Sequence, residues 1–152
     1  MFEFVSLRVH QYMSAPPVTV DPHTPLAEVE QLIEMHGFNG CPVVDADGRL
    51  LGMVTGFDLI KVCEIGPEAL VPHYGEIMQR PVDGVMSQMP QTVAPDLPLT
   101  RVLQRMIDGR ITGFAVVDTD RLVGMITRRD VLRALRELSP AESSDPRTGS
   151  RS

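Results

Sequence analysis

Positive charge is scarce in this chain. Fourteen Lys and Arg stand against 20 Asp and Glu, a formal net charge of −6. Nucleic acid and anionic membranes both reward a basic patch, and none is present, so neither is expected as a partner. Long apolar runs are also missing: no stretch approaches the ~20 residues of a membrane span. The first residues, Met1-Phe2-Glu3-Phe4-Val5-Ser6, lack the basic start and apolar run of a secretory signal, and the expected location is the cytoplasm. There are two cysteines, Cys41 and Cys63, too few for a disulfide framework; both read as small core residues in a reducing setting. His10, His23, His36 and His73 are scattered without metal-ligand spacing, so no metal centre is expected. Asp45-Ala46-Asp47-Gly48 starts like a calcium loop, but its Gly comes at the fourth place and no terminal Glu follows, which leaves a hairpin turn. Neither a G-x-S-x-G elbow nor a phosphate-binding P-loop occurs, and the chain is not expected to be an enzyme.

What the chain does have is a long internal repeat. Met13-Ser14-Ala15-Pro16-Pro17-Val18-Thr19-Val20 returns as Met86-Ser87-Gln88-Met89-Pro90-Gln91-Thr92-Val93. Paired residue by residue from Met13 to Ile60 and from Met86 to Leu132, with Gly48 alone unpaired, 21 of 47 positions are identical. Unrelated segments would share about three at ordinary residue frequencies. The period is 73 residues before the gap and 72 after it, long enough for a small globular unit. Units of about 50 residues are marginal alone, so the copies are expected to share an interface.

The periodicities change in the same order in each copy. A short extended piece, Val18-Thr19-Val20 or Thr92-Val93, leads to a helix opened by Pro25 or Pro98 at its first position, with Leu26, Val29, Leu32 and Ile33, or Leu99, Val102, Leu103, Met106 and Ile107, on one face. Apolar runs Cys41-Pro42-Val43-Val44 and Phe114-Ala115-Val116-Val117 follow as strands, each closed by an Asp-rich turn. Second strands end in Thr55 and Thr127 and feed directly into helices. The fold class is therefore α/β (α+β), with two repeats, each strand-helix-strand-strand-helix, expected to pack face to face. The expected domains are residues 8–62, a connector at 63–81 with a helical turn or two, residues 82–138, and a disordered tail at 139–152. The nine methionines read as packing rather than a docking surface.

The sharpest local signature is Gly52-Met53-Val54-Thr55-Gly56-Phe57-Asp58, repeated as Gly124-Met125-Ile126-Thr127-Arg128-Arg129-Asp130. Thr before a helix and an acid three residues on match a capping box. The same arrangement suits a ligand: amides and helix dipole favour a phosphate beside Thr55 or Thr127, while the Asp carboxylate accepts bonds from ribose hydroxyls. Both readings hold together.

The duplicated order of an initial Met, a Thr-Val strand, Pro-Val-Val-Asp and Gly-x-x-Thr-x-x-Asp resembles the cystathionine-β-synthase (CBS) domain, and two in tandem resemble a Bateman module. The resemblance covers about Arg8 to Leu138. It implies two pseudo-twofold related repeats packed through their sheets, forming a regulatory module with two clefts between the copies that bind adenosine nucleotides of the AMP, ADP or ATP type, with S-adenosylmethionine or NAD less favoured, and that relays occupancy to a separate effector protein; a homodimer through helix faces is the implied assembly, and no cofactor is required. By position, Asp58 and Asp130 become ribose anchors, Thr55 and Thr127 lie beside the phosphates, and Thr19, Val20, Thr92 and Val93 flank the base, although these four equally suit a plain edge strand. Members that bind nucleotides often place a basic residue ahead of the Val-Val-Asp strand. Here Gly40 and Gly113 hold that place, preceded by Asn39 and Thr112, which counts against a strong triphosphate clamp and favours a rival reading as a ligand-free interaction module. Arg128 and Arg129 suit bidentate phosphate contact where the first copy has Gly56 and Phe57. With one cleft occupied, the expected one is lined by Asp130.

Overall fold

A computed structural model of the chain describes residues 2–37, 39–63, 74–88 and 90–138. The tail expected at 139–152, His73, and residues 64–73 of the expected connector lie outside the described residues. The elements run α1 (Phe2–Ser6), α2 (Val9–Tyr12), α3 (Leu26–His36), β1 (Gly40–Val44), β2 (Leu50–Thr55), α4 (Gly56–Val62), α5 (Tyr74–Ile77), a 3-10 turn (Val82–Gly84), β3 (Thr92–Val93), α6 (Leu99–Gly109), β4 (Gly113–Asp118), β5 (Arg121–Thr127) and α7 (Arg128–Glu137). This is the expected mixed fold, with two adjustments. The leading piece of the first copy is reduced to a single bridge, Val20 with Val43. Pro25 and Pro98 cap α3 and α6 from outside, in extended conformation, rather than opening them from the first helical position.

The chain divides into two compact units, and neither is contiguous. Among the described residues, one joins those up to 15 to 92–116 and 123–138; the other joins those within 16–91 to 117–122. The first has a core of Phe4, Val9, Val93, Leu99, Val102, Met106, Phe114, Val116, Ile126, Val131 and Ala134. Its sheet has the order β3-β4-β5, with β3 parallel to β4 in the register Thr92↔Ala115 and Val93↔Val116. The second unit is built around Val20, Leu26, Val29, Cys41, Val43, Val54, Leu59, Ile77, Met78 and Val82. There β1 and β2 pair antiparallel from Gly40↔Thr55 to Val44↔Leu50, with a bulge at Val43/Val44.

The same logic builds both cores. In one, the Leu99 N–H donates to Leu7 O at 3.0 Å and Arg8 bridges Pro98; in the other, the Leu26 N–H donates to Arg80 O at 3.0 Å and Pro25 bridges Pro81. Each helix thus starts against a segment from ahead of the opposite copy. Phe4 and Ile77, and likewise Val9 and Val82, are separated by the period of the repeat and are all buried. The helical turn at Tyr74–Ile77 therefore belongs to a core. The unpaired Gly48 also has a cause: the first hairpin turns on Gly48 at φ +84°, while the second closes one residue sooner on Thr119 and Asp120, at φ +52° and +69°. Positive φ at both central residues matches the twist of the flanking strands.

Candidate functional site

Each copy forms a cradle where its second strand becomes a helix. Thr55 is extended at φ −115° and ψ 167°, and Thr127 is nearly identical at −122° and 170°. In the first copy the Thr55 N–H and hydroxyl donate to Asp58 Oδ2 at 2.8 and 3.0 Å, and the Asp58 N–H donates to Thr55 Oγ1 at 3.2 Å. In the second, the Thr127 N–H and hydroxyl donate to Asp130 Oδ2 at 2.8 and 3.2 Å. The capping reading thus describes the geometry, and it uses one carboxylate oxygen. Two donors saturate Oδ2 and leave Oδ1 outside the cap.

The cradle uses helix amides as well. The Gly56 N–H donates to Asn39 O at 3.3 Å, and the Arg128 N–H to Thr112 O at 2.9 Å. Asn39 and Thr112 therefore contribute backbone carbonyls, and each first-turn amide so engaged is one fewer donor for a phosphate. Gly40 has a packing reason: a Cβ there would lie 3.0 Å from Val54 O and 3.2 Å from Thr55 Cγ2, and would press on the strand that presents the capping Thr. At Gly113 a Cβ would lie 3.4 Å from Ile126 O and Thr127 Cγ2, which is ordinary contact.

The motif glycines Gly52 and Gly124 admit backbone more closely still. A Cβ at Gly52 would lie 2.5 Å from Ser87 O, and one at Gly124 would lie 2.7 Å from Met13 Sδ and 2.9 Å from Ser14 O. Met53 and Ser87 exchange two backbone bonds at 3.0 and 2.8 Å, and Met125 and Ser14 do the same at 3.0 and 2.8 Å. The Met-Ser that opens one copy is thus held against the Gly-x-x-Thr strand of the other.

In the unit of residues 16–91, Thr19 is half-buried and Val20 buried. The Val20 N–H donates to Pro42 O at 3.1 Å and its carbonyl accepts from Val44 at 2.9 Å. These residues line an open hollow of about 690 Å³ with Asp21, Glu28, Val44 and Asp45. Asn39, Thr55 and Asp58 do not line it. Thr55 pairs with Gly40 at the other end of β1 from Val43, about 10 Å along the strand at ~3.3 Å per residue.

The second copy places Thr92 and Val93 on β3, and sequence reasoning missed two arginines: Arg105 at Thr92, and Arg133 at the Asp130 cradle. Arg105 donates to Thr92 O at 3.1 Å and lies 4.7 Å over the Phe114 ring. Arg133 ion-pairs with Asp130 Oδ1 at 3.6 Å and Glu137 at 3.7 Å, donates to Tyr12 O at 3.1 Å, and lies 4.8 Å over the Tyr12 ring. The Tyr12 hydroxyl donates to Glu137 at 2.8 Å, which raises the phenol pKa from its ordinary value. The signal for Arg105 was its place on the apolar face of α6, where the first copy has Leu32. Arg133 replaces Lys61, and its partner Tyr12 precedes the repeat. Arg128 and Arg129 are exposed. Among the described residues no cluster of His, Cys, Asp or Glu has metal-binding geometry, and no helix is long and apolar enough to cross a membrane.

The CBS domain profile matches residues 9–64 and 75–137, and the chain belongs to the CBS domain family. It is 36% identical over 124 residues to inosine-5′-monophosphate dehydrogenase of Yersinia pestis, a match covering 80% of this chain and 23% of that enzyme. The chain spans 15–23% of the length of the three curated relatives it first matches. Among solved structures, a Vibrio cholerae protein assigned to acetoin utilization (AcuB) superposes with a TM-score of 0.77 at 30% identity, covering 92% of this chain and 98% of that one. A CBS domain pair in complex with 5′-methylthioadenosine and S-adenosyl-L-methionine gives a TM-score of 0.70 at 25% identity, covering 88% of this chain and 98% of that one.

Proposed function

We propose that this chain is a regulatory module that binds an adenosine compound of the AMP, ADP or ATP type through its Thr/Asp cradles and relays occupancy to a separate effector protein in the cytoplasm. The observation that carries this is a carboxylate fixed by its own cap through Oδ2, with Oδ1 outside the cap, in a family where a solved relative holds two adenosine compounds. A vicinal diol donates two hydrogen bonds, and an oriented carboxylate oxygen supplies the acceptor without losing further side-chain entropy. A ligand bound better by one arrangement of the chain shifts the chain toward it, which is sufficient for signalling.

Calorimetric titration with AMP, ATP, S-adenosylmethionine and NAD tests the reading. We expect heat with AMP, and an Asp58→Ala/Asp130→Ala double variant to lose affinity beyond its lost caps. No heat with any of the four would overturn it.

A second reading, an interaction module with empty cradles, has its own observation. The helices expose large apolar side chains: Phe57 and Ile60 on α4 at 67% and 71%, Ile107 on α6 at 62%, and Leu132 on α7 at 57%. Such residues suit a homodimer through helix faces. Ile60→Glu with Leu132→Glu is expected to convert the dimer to a monomer in sedimentation equilibrium; an unchanged mass would exclude those faces.

A further inference from the structure

The few cations of this chain are not spread evenly. Among the described residues, the unit that holds residues 92–116 carries eight Arg against five Asp and Glu, while the other unit carries four Lys and Arg against 11 Asp and Glu. The contrast reaches the helix faces. Between α6 and α7 lies an apolar groove of about 200 Å³, lined by Leu103, Met106, Ile107, Arg128, Val131 and Leu132. By the period of the repeat, the matching positions on α3 and α4 are Glu30, Ile33, Glu34, Gly56, Leu59 and Ile60. Acids therefore stand where the groove has Leu103 and Ile107, and Arg128 stands where the first copy has a glycine.

Both faces are open in the single chain. Ile107 and Leu132 are exposed beside the groove, as are Phe57 and Ile60 on α4 and Met35 on α3. Glu34, Arg128 and Arg129 are exposed too, and among the described residues none of their side chains makes a hydrogen bond or an ion pair. Glu30 accepts from the Tyr74 hydroxyl through one oxygen, which leaves the other outside that bond. Apolar side chains grouped on a helix face suit association, and the charges around them select the orientation. Like faces meeting would set Arg128 and Arg129 of one chain against the same pair in the other, and Glu30 and Glu34 against Glu30 and Glu34. Unlike faces meeting set acids opposite arginines, and bring the Phe57 ring to guanidinium groups that favour an aromatic face.

We propose that two copies of this chain pair with unlike faces together, the α3/α4 face of one seated on the α6/α7 face of the other. In a twofold pair this contact is made twice, so both acidic and both basic faces are used. This rests on the helix-face dimer put forward above, independently of the adenosine reading, and adds which face meets which. The apolar side chains supply the buried surface, and the charges fix the orientation and speed the encounter.

Sedimentation equilibrium of the full chain tests the pairing. Raising sodium chloride from ~0.1 to ~1 M shortens the screening length from ~10 to ~3 Å, so the dimer dissociation constant is expected to rise about tenfold, where like-face pairing would make it fall. At ~0.1 M salt, Glu34→Arg and Arg129→Glu are each expected to weaken the dimer, since each sets like charges across both contacts. The two together in one chain restore opposite charges and are expected to recover the wild-type constant. A constant that falls with salt, single variants that pair as tightly as wild type, or a double variant no tighter than the singles would each overturn the proposal and leave a helix-face dimer standing. Masses that grow past the dimer would overturn the closed exchange of faces. Circular dichroism melts establish that each variant folds, and if one does not, the salt response of wild type still decides. A wild type that stays monomeric, or a dimer that Ile60→Glu/Leu132→Glu leaves intact, would overturn the helix-face dimer, and this proposal with it.

Discussion

Asp58 serves its own fold before it serves any ligand. Its Oδ2 holds the Thr55 N–H and hydroxyl, and its own N–H is held by Thr55. Asp58→Ala should therefore cost about 0.5–2 kcal/mol from the lost cap, read as a lower midpoint in urea with an unchanged slope. Cys41 carries a second residue-scale consequence. Burial of its side chain pushes the thiol pKa up to about 11, whereas an unfolded thiol ionises near ~8.5. The raised folded value means that the native state keeps a proton that the unfolded state releases. This contribution is fully present below pH ~8.5 and is lost as pH rises through about 11. Urea unfolding at pH 8 and pH 10.5 should show the fall, and Cys41→Ala should flatten it. Burial of Cys41 was legible from its place in an apolar run. The state of each Asp Oδ1 was not, because it depends on whether Arg133 or Lys61 follows and on where Tyr12 sits.

At the scale of elements, strand-to-helix junctions were read from one motif, and the structure contains them at Thr55 and Thr127. What the glycines of that motif do was not readable, because the atoms they make room for come from Met86-Ser87 and Met13-Ser14, far away in sequence. Gly52→Ala places a Cβ 2.5 Å from a backbone oxygen, so the two bonds between Met53 and Ser87 must stretch. Overpacking of this kind costs typically about 1–3 kcal/mol. Gly124→Ala should behave similarly, while Gly56→Ala, whose Cβ meets nothing within 4 Å, should not destabilise by this route. Chemical denaturation of the three variants separates packing from backbone propensity. Helix ends were less legible than helix faces: a proline's fixed φ suits both the cap and the first helical position, and α3 and α6 use the cap.

For the whole molecule, the repeat in the sequence begins at Met13 and Met86, yet the packing repeat starts earlier. Phe4 and Ile77 fill corresponding places with different side chains, and of the buried pairs ahead of the motif only Val9 and Val82 are the same residue. Core volume tolerates such exchanges, so identity fades where burial does not. A linear reading consequently gave residues 8–62 and 82–138, whereas the compact units draw their leading segments crosswise. Phe4→Ala, at a site 3% exposed, is expected to cost about 3–5 kcal/mol. Its hydrogen-exchange signature should appear in α6, β4 and α7 rather than in α3 and β1. Faster exchange in α3 and β1 alone would contradict the assignment of Phe4 to the other core.

The crosswise leading segments also impose an order on synthesis. Residues 16–91 leave the ribosome as one nearly complete unit, at about 5–20 residues per second. Phe4 and Val9, made before them, have no core to enter until β3 through α7 follow, a stretch that begins 88 residues after Phe4 and ends 133 residues after it (92 − 4 and 137 − 4). For those seconds Phe4 and Val9 are made but have no partners to pack against.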